Sequence, residues 1–238
     1  MGRVPVVSIF IASLLAGCAP ESNSAYVSVA VPLDENCIAK PNSEVFLSAG
    51  SYDIALGGIP GSNYCQKSYY MHLVVNSQLK SNSNDAIGRA EPNVLQITDA
   101  EVRLIDVEQQ GIIVFDDLPN PFRVKANNSL PPTTGREPQP GVVSVEAIPI
   151  GYDTQLRDYV GEQILAEVTI FGTTIGDVPV DFKPFEFPIR ICNGCMTACE
   201  SDFPGASPAE IYGDGCIDDG GQDGRLCVDP ACGIEDDE

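Results

Sequence analysis

The chain has 238 residues, with 13 Lys plus Arg against 34 Asp plus Glu, a formal net charge of −21, one His and no Trp. Its length allows one domain or a small pair, with ample interior for a hydrophobic core. The charge repels phosphate groups, so no nucleic-acid partner is expected, and a single His leaves almost no material for His-based metal sites or His-centred triads.

At the amino end, Met1-Gly2-Arg3 is a short basic start, and residues 4–15 are apolar apart from one Pro and two Ser. That stretch is too short for an ordinary membrane-spanning helix. Leu15-Ala16-Gly17-Cys18 closes it and resembles a bacterial lipobox, in which small residues before the Cys give the peptidase access to the bond. The resemblance implies thioether lipidation of Cys18, cleavage after Gly17 and acylation of the new amino terminus. An ordinary signal peptide that happens to contain a Cys is the alternative; hydrophobic length, small residues and Cys placement coinciding in one window favour the lipobox. At about 0.8 kcal/mol per buried methylene, two or three acyl chains hold a protein on a bilayer. Ala19 after Cys18, rather than Asp, implies an outer-membrane address under the enterobacterial sorting rule. The expected location is therefore the bacterial envelope, with a signal peptide over 1–17 and a small, polar, lipidated tether over 18–25.

The fold is expected to begin near Tyr26. Loose alternation over 26–31 and the apolar segment 45–56, with Gly50-Ser51 as a bulge or turn in its middle, read as early strands. Residues 69–75 are a continuous β-branched and aromatic run, the pattern of a central strand covered on both faces. His72 lies inside it, where a packed or hydrogen-bonded imidazole is expected rather than a catalytic base. After a polar loop at 81–85, residues 94–98 and then Ala100, Val102 and Leu104 against Glu101 and Arg103 alternate as a half-buried antiparallel strand. Residues 111–115 are another apolar run. Asp116 and Asp117 beyond it read as a solvated strand end, because adjacent strand residues point to opposite faces and do not converge as a catalytic carboxylate pair. Four Pro with Gly135 and Gly141 make 127–141 a long surface loop.

Residues 142–148 are β-like, and 153–160 is the one helical turn, with Asp153 or Thr154 as its N-cap. Ile164, Ala166, Val168 and Ile170 share one face, and Gly172-Thr173-Thr174 is expected to turn the chain towards Val178, Val180 and Phe182. Phe185, Phe187, Ile189 and Ile191 alternate with Glu186, Pro188 and Arg190, and Pro188 places this strand towards a sheet edge. The predicted inward residues include Val102, Leu104, Val168, Ile170, Phe187 and Ile189. Many short strands, frequent turn signals and almost no helical periodicity predict an all-β chain: an antiparallel β-sandwich of immunoglobulin- or fibronectin-like outline over 26–191.

From Cys192 the apolar strands stop, and 192–238 reads as an irregular, Cys-rich acidic tail stapled by disulfides. Nine Cys, less the lipidated one, leave Cys37, Cys65, Cys192, Cys195, Cys199, Cys216, Cys227 and Cys232, an even set that suits an oxidising compartment. Two lie early, none falls in the next 126 residues, and six crowd into 192–232. Closure within each group is expected, Cys37 with Cys65 and the last six among themselves, in any of about 15 connectivities. Cys192, Cys195, Cys199 and Cys216 have spacings that Zn²⁺ tolerates, but the even count and the lack of a neighbouring His favour disulfides. A redox Cys-x-x-Cys at Cys192 and Cys195 normally opens a helix of a βα fold, which this sequence does not offer. Residues 200–238 hold 12 acidic groups against one basic group, Arg225. Within them Asp214, Asp218, Asp219, Asp223 and Asp229, interleaved with Gly, are the candidate Ca²⁺ ligands. Against an EF-hand loop opening at Asp219, Asp223 and Gly224 fit the middle, but Pro230 stands where the closing bidentate Glu is needed. A solvated acidic tail with no resident cofactor is the expectation.

Four segments together carry a wider resemblance: Val74-Val75-Asn76-Ser77-Gln78-Leu79, Val168-Thr169-Ile170-Phe171-Gly172-Thr173-Thr174, Phe185-Glu186-Phe187-Pro188-Ile189-Arg190-Ile191-Cys192, and Gly194-Cys195 with Gly221-Gln222-Asp223-Gly224. With them the chain resembles a recurrent group of uncharacterised myxobacterial outer-membrane lipoproteins over most of its mature length. The resemblance implies a lipobox signal, a β-rich body and a Cys-rich end, and it brings no activity. Similar proteins commonly close on adjacent cysteines, whereas here Cys227 and Cys232 are separated. No Gly-x-Ser-x-Gly elbow, His-Glu-x-x-His or phosphate-binding glycine pattern occurs. The expected function is a non-enzymatic structural or binding role in the envelope, with the membrane as partner through the lipid and an envelope protein or glycan as ligand. The alternative is a Ca²⁺-dependent adhesion or carbohydrate-binding module using the acidic tail or the 127–141 loop; an envelope hydrolase lacks its motif.

Overall fold

The computed structural model describes residues 24–34, 36–55, 68–81, 92–199 and 227–229, the last three together with 197–199 as backbone alone. Among them run β1 (Ala25–Val31), β2 (Gly50–Asp53), β3 (Tyr69–Ser77), β4 (Leu95–Asp106), β5 (Gly111–Ile112), β6 (Phe122–Leu130), β7 (Gln139–Ile148), β8 (Gln163–Thr174), β9 (Pro179–Val180), β10 (Phe185–Cys192), β11 (Thr197–Cys199) and β12 (Cys227–Asp229). No helix of the described residues is long and apolar enough to cross a membrane.

Two sheets form the body. The smaller has the order β1-β3-β7, antiparallel throughout, and the larger has the order β2-β10-β8-β4-β5, with β6 also on β4 and β9 also on β8. Because β4 pairs with β8 from Leu95 to Asp106, β5 and β6 share the opposite side of β4, while β9 and β10 share the far side of β8. Alternation decides which residues meet between the layers. Met71, Leu73 and Val75 of β3 and Val143, Val145 and Ala147 of β7 join Val102, Leu104, Val168, Ile170, Phe187 and Ile189 in one buried cluster. Those last six, the predicted inward residues, are all 2% exposed or less. The all-β sandwich expected from the alternation is the observed architecture, with one departure: β2 lies parallel to β10.

Several local expectations are corrected. Among the described residues of the 45–56 segment only Gly50–Asp53 is a strand, and Val45 and Phe46 are exposed. Gly50 opens that strand instead of breaking it. A Cβ there would stand 1.8 Å from the Tyr69 hydroxyl, so glycine is needed for close approach, not for a turn. The expected 127–141 loop shrinks to 131–138, since β6 reaches Leu130 and β7 starts at Gln139. Pro140 fits β7 because β7 is an outer strand of its sheet, where a missing N–H is tolerated.

Gly172-Thr173-Thr174 does not turn the chain; β8 continues through Thr174. The turn comes after it, where Thr174 N–H donates to the Val178 carbonyl at 2.8 Å and Asp177 takes a positive φ of 57°. Residues 153–160 hold a short 3-10 turn, Arg157–Tyr159, preceded by buried Leu156 and not capped by Asp153 or Thr154. β10 is not an edge strand either, but β2 pairs with it only from Ile189 onward, so Pro188 lies just outside that ladder.

Candidate functional site

The chemistry of the described residues converges where β2 meets the end of β10. The parallel register sets Asp53 opposite Cys192, at the start of the loop Cys192-Asn193-Gly194-Cys195. Cys192 and Cys195 are joined by a disulfide, with their Cα atoms 5.8 Å apart. Gly194, at φ 78°, supplies the left-handed residue that folds this loop back on itself. Beneath it lies the Asp53 carboxylate, 0% exposed. Oδ1 accepts from the backbone N–H of Gly194 at 2.7 Å and of Ala55 at 2.9 Å, and Oδ2 accepts from the N–H of Met196 at 2.7 Å. A carboxylate taken out of water needs such donors, and backbone amides turned inward by a tight loop are strong ones. A carboxylate oxygen and both sulfurs lie within 4.8 Å of one another. Cys192 is 7% exposed while Cys195 is open to solvent. In the disulfide form the two sulfurs offer no thiolates, which removes half of the four-thiolate zinc set.

A second concavity, about 590 Å³, opens at the end of β4. Asp106, Glu108, Asp116, Asp158 and Glu162 surround it, together with Gln155 and Tyr159, and none of its lining residues is basic. Asp106 Oδ1 accepts from the N–H groups of Glu108 at 2.8 Å and Gln109 at 2.9 Å, which bends the chain out of β4. Asp116 N–H donates to Gln155 Oε1 at 3.0 Å, tying the wall to the 3-10 turn. Burial, and then the charges of Asp106, Glu162 and Asp158, push the Tyr159 phenol up, so at neutral pH it remains a hydrogen-bond donor. This arrangement suits a cation or a polyhydroxyl ligand.

A third, of about 530 Å³, lies on the outward face of β3 and β7. Register places His72 opposite Ser144, and their Nδ1 and Oγ atoms are 2.8 Å apart. The imidazole is hydrogen-bonded and buried, as its place in an apolar strand suggests. Ser144 is exposed, but no carboxylate among the described lining residues orients the ring as a nucleophile's base requires.

Of the candidates read from the sequence, Cys18, Cys65, Cys216, Cys232, Asp214, Asp218, Asp219 and Asp223 lie outside the described residues. Cys37 is disulfide-bonded. Cys199 and Cys227 are placed by backbone only, in the parallel pair β11 and β12, and Asp229 ends β12 opposite Cys199. Asp53 was not anticipated. Its signal was there: a single carboxylate inside the apolar run Tyr52-Asp53-Ile54-Ala55-Leu56 must find donors if that run is buried. No protein-family model matches the chain, and no curated protein matches it significantly.

Proposed function

We propose that this chain is a lipid-anchored cell-envelope protein, akin to the myxobacterial-type outer-membrane lipoproteins, whose β-sandwich has a non-enzymatic structural or binding role. The observation that carries the reading is the spacing between Leu15-Ala16-Gly17-Cys18 and the fold. β1 starts at Ala25, a few residues beyond Cys18, and is an outer strand of its sheet. A lipid on Cys18 therefore tethers the sandwich by an edge and leaves its core undisturbed. Metabolic labelling with an alkyne-tagged palmitate in a bacterial host tests this. Wild type should label and sediment with membranes, and Cys18→Ser should do neither; a soluble wild-type protein with a free amino terminus at Ala19 or beyond overturns the reading.

The acidic cleft supports the binding form of this role. Five carboxylates beside the Tyr159 hydroxyl and Gln155 offer acceptors and donors to a glycan or a hydrated cation. A glycan array read with and without Ca²⁺, paired with calorimetric titration of Ca²⁺ alone, separates the two ligand classes. An Asp158→Asn, Glu162→Gln double variant should lose whichever signal the wild type gives.

A further inference from the structure

We propose that Cys192, Cys195 and Asp53 form a thiol–disulfide exchange site, in which Cys195 meets an external sulfur, Cys192 resolves the mixed disulfide, and Asp53 takes the proton of the resolving thiol. This goes beyond the lipoprotein reading and stands independently of it.

Three observations lead here. The sulfurs are unequal, Cys195 exposed and Cys192 only 7% exposed, so an outside thiol or disulfide reaches one and not the other. The loop has a second hold besides the S–S bond. Asp53 holds Gly194 and Met196 by their N–H groups at 2.7 Å, bonds that do not involve the sulfurs and that the proposal keeps when the sulfurs part. Both thiols then stay adjacent, and the disulfide can re-form without a search. Finally, a fully buried carboxylate sits within 4.8 Å of both sulfurs. The carboxylate that holds the loop thus also stands beside both sulfurs, where exchange can use it, because the thiolate and not the thiol is the nucleophile.

The reaction balances with a disulfide R–S–S–R as the only co-reactant. In the reduced protein the Cys195 thiolate attacks one sulfur of R–S–S–R, forming the Cys195–S–R bond and expelling RS⁻, which is protonated to RSH. The Cys192 thiol passes its proton to the Asp53 carboxylate as its sulfur attacks Cys195 Sγ. The Cys192–Cys195 bond forms, and the second RS⁻ leaves and takes up a proton, which restores the Asp53 carboxylate. Two electrons pass from the protein dithiol to R–S–S–R, giving one protein disulfide and two RSH. The reverse path reduces the protein with an external thiol.

The test uses the full mature chain, limiting dithiothreitol and then glutathione disulfide, with thiols read at each Cys by differential alkylation and peptide mass spectrometry. Cys192 and Cys195 should open under conditions that leave the far-ultraviolet circular dichroism unchanged, and should close again on adding glutathione disulfide. Cys192→Ser should trap a stable glutathione adduct on Cys195. Cys195→Ser should leave buried Cys192 unreacted on the same timescale. Asp53→Asn should slow resolution about 100-fold, the ordinary contribution of a positioned base, so that the Cys195 adduct accumulates transiently. The two serine variants decide the exchange site and the order of its sulfurs even if Asp53→Asn fails to fold, and a folded Asp53→Asn that resolves at the wild-type rate removes the carboxylate from the mechanism. An S–S bond that opens only as the sandwich melts, or glutathione adducts that form as readily on Cys192 as on Cys195, overturns the proposal.

Discussion

Phe187 is 2% exposed, and its ring lies beside Gly50 and stacks with Phe185 at a centroid distance of 6.4 Å. A Cβ on Gly50 would come within 3.1 Å of that ring, so the site has no slack into which neighbours could collapse. Phe187→Ala should therefore destabilise the protein by about 3–5 kcal/mol in urea unfolding, and a loss well under that range would mean the cavity closes. Asp34 is a different case, at the surface. The Lys40 ammonium 2.6 Å from Oδ2, and then the Ile38 and Asn36 N–H groups, hold its carboxyl below the ordinary value of 3.8. The unfolded chain binds the proton more readily, so the contribution of this pair is present above pH 3.8 and fades as pH falls through the lower folded value. Lys40→Met should raise the Asp34 midpoint in a carboxyl NMR titration, and an unmoved midpoint would assign the effect to the backbone donors alone.

Strands were legible where one face is buried and the other wet. From Ala100 to Leu104 of β4 and from Ile164 to Ile170 of β8 every second side chain is apolar and buried, because each strand packs on the core through one face. The ends of strands were not legible, since glycine and proline acquire their meaning from neighbours that are distant in sequence. Gly172 is the clearest example. It sits inside β8, where a Cβ would stand 2.6 Å from the backbone oxygen of Gln96 on β4. A backbone atom in a paired strand cannot step aside as a flexible side-chain end can, so Gly172→Ala should cost about 1–3 kcal/mol and speed amide exchange at the β4–β8 contact. Gly135, where an added Cβ would meet nothing within 4 Å, is the control: Gly135→Ala should change stability by no more than about 0.5 kcal/mol. Equal effects at the two positions would show that conformational entropy, not close approach, governs both.

At the scale of the sandwich, one continuous apolar cluster among the described residues spans both sheets, and the Cys192–Cys195 bond closes only a short loop at the end of β10. Short loops remove little entropy from the unfolded chain, so the fold should owe its stability to burial and not to this crosslink. Reduction of the intact protein should leave the β-type circular dichroism and a single cooperative unfolding transition. Loss of both on adding reductant would make disulfides the main support.

Local pattern in the sequence was enough for the all-β class, for the six core residues from Val102 to Ile189 and for a hydrogen-bonded His72, because period-two alternation reports directly which side chains leave water. The parallel pairing of β2 with β10 was beyond it, and so was the meeting of Asp53 with Cys192 and Cys195, since those groups lie 139 residues or more apart along the chain. The same holds for the acidic cleft, where Asp106 comes from the end of β4 and Asp158 from the 3-10 turn. Alternation states that a residue is inside or outside, but it carries no information on which strand lies alongside. Strand order is settled by the packing of two whole sheets, and only that order brings distant charged and sulfur-bearing groups within reach of one another.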